Sequence, residues 1–139
     1  MAAERKSSST EIEKRLRAAE LDLDAARRLL VDPPNVLAAT HLQQAAEKML
    51  GAVRLDRGLL VTKDHDLVLL IDGRATGGEP RALPAGDPWR DRFRPYEVLS
   101  AYATTFRYSL KPAPQVEELR RILAGLSELY DLARQELLP

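Results

Sequence analysis

The chain has 139 residues, 45% of them hydrophobic and 30% charged, which fits one domain with a single core and a well-solvated surface. Its 21 basic and 21 acidic side chains balance, which argues against a general affinity for duplex nucleic acid while leaving room for a local basic patch. The absence of cysteine excludes disulfides and cysteine-based zinc sites, two histidines are too few for a histidine-rich metal centre, and no apolar run reaches the ~18 residues of a membrane span.

Residues 1–9 are small, polar or charged and are expected to be a disordered N-terminus, with a single helical domain over residues 10–139. Thr10 and Glu13 read as a capping box. Behind it Ile12, Leu16, Ala19, Leu23, Ala26 and Leu30 recur at steps of four and three, the stripe of an amphipathic helix that Asp32-Pro33-Pro34 stops. Asn35 is the expected cap of a second helix, which runs to about Asp56 and ends at Gly58 in a left-handed stop. The short connection makes these two helices a hairpin.

Leu67 to Ile71 is an apolar run that reads as a short helix, because Asp64 or Asp66 can cap it and no partner strand exists. Glycines and prolines between Asp72 and Gly86 break any repeat and predict a loop, the expected place for mobility. Asp87-Pro88 is a cap followed by proline at the first helical position. Pro95 starts or kinks a further helix whose buried side is Leu99, Tyr102, Ala103 and Phe106, and Lys111-Pro112-Ala113-Pro114 is a turn. Val116, Leu119, Ile122, Leu123, Leu126, Leu129, Tyr130, Ala133 and Leu137 mark the last helix. The expected fold is all-α: an up-and-down bundle of four long helices plus one or two short ones.

The second helix carries the most informative polar residues. His41, Gln44 and Lys48 fall along one stripe, Gln43 and Glu47 form a neighbouring row, and Leu42, Ala45, Ala46, Met49 and Val53 supply the apolar side. An ammonium beside an amide and an imidazole can hold a phosphate. His41 reads either as a part-buried residue with one satisfied ring nitrogen or as a ligand-facing one. Glu47 and Lys48 point about 100° apart, so each is expected to pair elsewhere, on another helix or across a dimer interface. The Ala-rich face offers a flat surface for such a dimer.

The block His41-Leu42-Gln43-Gln44-Ala45-Ala46-Glu47-Lys48-Met49-Leu50, the element Lys63-Asp64-His65-Asp66-Leu67 and the element Thr105-Phe106-Arg107-Tyr108 together resemble the HEPN family (higher eukaryotes and prokaryotes nucleotide-binding domain). Ser109 stands where proline is common. The likeness runs from about residue 10 to 137. It implies a helical bundle, a homodimer and a ligand groove at His41, Gln44, Lys48, Arg107 and Tyr108. Gln43, Glu47, Lys63, His65, Asp66 and Tyr102 take structural or interface roles, and neither a cofactor nor a metal is implied. His65 closes its loop, and Arg107 is placed either for a phosphate or for helix capping.

HEPN ribonucleases carry an Arg followed by a His one to two turns later, and that pair is missing here: Arg57, the nearest arginine before His65, is too far, and no His follows Arg107. The resemblance therefore implies a noncatalytic binder of nucleotide or nucleic-acid phosphate that partners a minimal nucleotidyltransferase, in a toxin–antitoxin setting. The alternatives are a divergent HEPN ribonuclease toxin using His41 or His65 with Arg107, and a plain helical dimerisation or adaptor protein. The preference for Arg over Lys with abundant Ala and Leu points to a bacterial source, and the lack of a signal core to the cytoplasm.

Overall fold

Ile12, Leu16, Ala19, Leu23, Ala26 and Leu30 all lie buried, one seam down helix α1 (Ala2–Leu29) and the residue after it. A computed structural model describes residues 2–62, 64, 66–102 and 115–138, with side chains from residue 9 onward and up to Ser100 in the central stretch. The seam packs on α2 (Ala38–Asp56), and the two helices form the expected hairpin. The last long helix, α5 (Val116–Leu137), lays Leu119, Ile122, Leu126, Tyr130, Ala133 and Leu137 into the same core. Among the described residues the chain is all helical, with no strand.

Helix α2 is the centre of the fold. It touches α1, α5 and every shorter helix, so it is buried nearly all round. Its composition permits this: Ala38, Ala39, Ala45, Ala46 and Ala52 are fully buried and let neighbouring helices approach closely. The Ala-rich face is therefore consumed inside the chain and is not open as a dimer surface, which corrects the geometric reason for expecting a dimer there.

A smaller layer covers one side of α2. Helix α3 (Leu67–Asp72) starts at Asp66, whose Oδ1 accepts from the Val68 N–H at 2.9 Å. Helix α4 (Pro88–Phe93) starts at Asp87, whose Oδ1 accepts from the Trp89 N–H at 3.0 Å, with proline at the first position as expected. The chain then continues as a 3-10 helix (Arg94–Tyr102) that buries Leu99.

Three boundaries differ from expectation. The backbone of α1 is helical from Ala2, so Thr10 and Glu13 lie inside the helix and the segment expected to be disordered continues it; Ala2, Ala3, Glu4, Arg5 and Lys6 are all strong helix formers. Asn35 does accept from a backbone N–H, that of Leu37 at 2.9 Å, but it caps a turn that precedes α2. The fourth long helix is divided, α-helical to Phe93 and 3-10 beyond, because Pro95 has no N–H to give the α-helical bond and its ring crowds the preceding turn. Gly58, at φ 74°, ends the turn after α2 as expected. Ala103, Phe106 and the turn at 111–114 lie outside the described residues.

Candidate functional site

The hairpin brings one carboxylate to the polar stripe of α2. Asp22, on α1 and only 7% exposed, takes a 2.5 Å ion pair from Lys48 Nζ on Oδ2. Its Oδ1 lies 3.1 Å from His41 Nδ1. A carboxylate oxygen accepts, so in this contact Nδ1 is the donor. Both basic side chains remain more than a third exposed, while the acid between them is enclosed. In the adjoining row, Gln43 Nε2 donates to Glu47 Oε2 at 3.0 Å, and Gln43 is buried.

On the other side of Lys48 opens a cleft of about 380 Å3. Arg15 of α1 and Glu47, Lys48 and Gly51 of α2 form one wall. Val61, Thr62 and Asp64 of the α2–α3 connection, with Leu70 of α3, form the other. Thr62 Oγ1 donates to Asp64 Oδ2 at 2.7 Å, and Arg74 Nη2 donates to Asp64 Oδ1 at 3.2 Å, so the rim is held by its own hydrogen bonds.

Arg54 fixes the far wall. This fully buried side chain donates from Nε to the Leu60 carbonyl at 3.1 Å, and from Nη1 to those of Leu70 at 2.8 Å and Arg81 at 2.6 Å. It thus joins α2 to the segment before α3, to α3 itself and to the 72–86 connection, and Leu83 N–H to Ile71 O at 3.0 Å ties that connection down again. Burial pulls the Arg54 pKa down, against the opposing charges of Glu79 and Asp64.

The HEPN domain model matches residues 12–136, nearly the whole chain. The chain belongs to the HEPN family. No curated protein and no solved structure matches it.

Within this HEPN domain the residues singled out in the sequence are divided among several places. Lys48 lines the cleft and also holds Asp22; Glu47 lines the cleft as well. His41 is engaged with Asp22 and is not part of the cleft wall. Gln44 is partly buried and makes no hydrogen bond among the described residues. Asp66 caps α3. Lys63, His65, Arg107 and Tyr108 lie outside the described residues, as does the side chain of Tyr102. No group of three or more candidate metal ligands occurs among the described residues, and no described helix is long and apolar enough to cross a membrane.

Four residues of the HEPN domain site escaped the reading of the sequence. Asp22 and Arg15 flank the α1 seam, Asp22 three after Ala19 and four before Ala26, Arg15 three after Ile12 and four before Ala19. A charge at such a flank is drawn towards the neighbouring helix, and that spacing was the available signal. Gly51 stands in the interior of an Ala-rich helix, where glycine is unfavourable unless close approach requires it. Arg54 continues the buried row of Ala46 and Leu50.

Proposed function

We propose that this HEPN protein is a noncatalytic binder of nucleotide or nucleic-acid phosphate that works with a separately encoded minimal nucleotidyltransferase, as a homodimer. The observation that carries the reading is the position of Lys48. Its ammonium is held by a buried carboxylate and lines a cleft large enough for a small ligand, the arrangement of a positioned cation rather than of a free surface charge. The noncatalytic part rests on the sequence, which lacks the Arg–His pair. It is supported by Arg57, the nearest arginine before His65, being committed elsewhere: its Nε donates to Asp87 at 2.8 Å and its Nη1 to Asp56 at 2.6 Å. The partner and the dimer rest on family membership. With the Ala-rich face of α2 buried, a dimer uses another face.

Calorimetry with adenosine monophosphate and with a short oligouridylate tests the binding. Wild type is expected to bind, and Lys48→Ala to bind about tenfold more weakly or worse, since hydrogen bonds to charged groups contribute roughly 1.5–3 kcal/mol. Lys6→Ala serves as the control. The partner is tested by co-purification with the product of an adjacent nucleotidyltransferase gene. Incubation with single-stranded RNA is expected to leave it intact; cleavage that disappears in His41→Ala replaces this reading with the ribonuclease one.

A further inference from the structure

Arg15 stands apart from its neighbours on α1. Lys14 pairs with Glu11 and Arg17 with Glu13 along the helix surface. Arg15 turns inward instead and reaches no carboxylate or other acceptor among the described residues. Its Nε is buried and has no hydrogen-bond partner. A buried donor without an acceptor is unfavourable, so an oxygen that reached it would be held.

The fold makes room for this side chain. A Cβ placed on Gly51 would stand 3.2 Å from Arg15 Nη1, 3.5 Å from its Cδ and 3.6 Å from Val61 Cγ1. Glycine weakens a helix interior, and here it sits where the guanidinium crosses α2, beside the cleft. Arg15 and Lys48 thus bring two cations to one wall. A guanidinium presents rigid, planar pairs of N–H groups, matched to two oxygens of one phosphate.

We infer that Arg15, seated on Gly51, is the anion-gripping residue of the cleft, and that its ligand is the phosphate of a mononucleotide rather than a nucleic-acid strand. This rests on the reading of the cleft as a phosphate site. The volume of about 380 Å3 suits one small ligand. Arg15 and Lys48 share the cleft with the carboxylates of Glu47 and Asp64, so among the described residues no continuous basic track follows a chain of phosphates. The rest of the lining is Gly51, Thr62 and the apolar Val61 and Leu70, and among the described residues no aromatic side chain is there for successive bases to stack on.

Calorimetry on the full chain with adenosine monophosphate and a short 5′-hydroxyl oligouridylate, alongside thermal melts, tests this. The expected result is that wild type binds the mononucleotide and Arg15→Ala binds it about tenfold more weakly or worse. Arg15→Lys stays weak, because an ammonium lacks the planar fork of paired N–H groups. Gly51→Ala weakens binding while its melting temperature holds or rises, which separates loss of the seat from loss of the fold. Mononucleotide affinity unchanged in Arg15→Ala overturns the inference and leaves the phosphate reading standing. An oligouridylate bound more tightly than the mononucleotide overturns the ligand class alone. Wild type that binds neither overturns both.

Discussion

Lys48 Nζ and Asp22 Oδ2 meet at 2.5 Å across the α1–α2 seam, and the same carboxylate takes His41 on its other oxygen. One enclosed acid therefore orients two basic side chains of α2. Asp22→Asn removes the charge that holds both. The expected loss of unfolding free energy is about 1–2 kcal/mol in urea denaturation, towards the lower end for charged hydrogen bonds because Lys48 and His41 are part-exposed and screened. The coupling is isolated by a double-mutant cycle with Lys48→Met. Costs that simply add would mean that the pair contributes nothing.

Arg54 gives a larger and more local effect. Replacing it with Met leaves the Leu60, Leu70 and Arg81 carbonyls without their donor. Breaking such a buried network is expected to cost about 3 kcal/mol. The damage should concentrate in the connection around α3. Amide exchange of Leu83 and Gly73, whose N–H groups bond Ile71 and Leu69, is expected to accelerate before that of the α1 seam. Uniform acceleration across all helices would show that Arg54 supports the whole core rather than this wall.

The fold was legible in the sequence because it rests on periodicity. The six stripe positions of α1 and the stripe of α5 needed only a 3.6-residue repeat, and Asp66, Asp87 and Pro88 are residue types with one strong local preference. The 3-10 continuation after Pro95 was half legible, since proline marks a break but does not fix the kind of helix beyond it. The candidate site was less so. Asp22, Arg15 and Arg54 do their work at long range, and the partner carbonyls of Arg54 come from three separate segments that no spacing rule brings together. Lys48 was found from its company on one helix face, yet its partner could be learned only from the hairpin's register.

Acid should weaken the tie between α2 and α4. Burial pushes the Asp87 carboxyl up, but the hydrogen bond and charge of Arg57, the Trp89 N–H and the charge of Arg92 outweigh it and hold the group below its ordinary value of 3.8. A carboxyl depressed in the folded state stabilises above its unfolded value and loses that contribution as pH falls through the folded one. Wild type is therefore expected to be more stable than Asp87→Asn at pH 6, with the gap closing as urea denaturation is repeated below about pH 4. A gap of the same size at pH 2 would assign the effect to shape rather than to charge.

Trp89, the one tryptophan of the chain, makes the last contact testable by its own fluorescence. Its ring is fully buried, 5.6 Å from that of Phe93, and its Nε1 donates to Glu136 Oε2 at 3.1 Å near the end of α5. Arg92 lies 4.7 Å over the ring and bonds the same carboxylate at 3.0 Å, so cation, ring and acid close one cluster between α4 and α5. Glu136→Ala strands the indole N–H and is expected to cost about 1–2 kcal/mol, whereas Glu136→Gln keeps an acceptor and should cost roughly half as much. The folded emission of both variants should stay blue-shifted, since the ring is buried by apolar neighbours, and only the urea midpoint should move. Folded emission already red-shifted in Glu136→Ala would mean that the carboxylate, and not the packing on Phe93, keeps Trp89 inside.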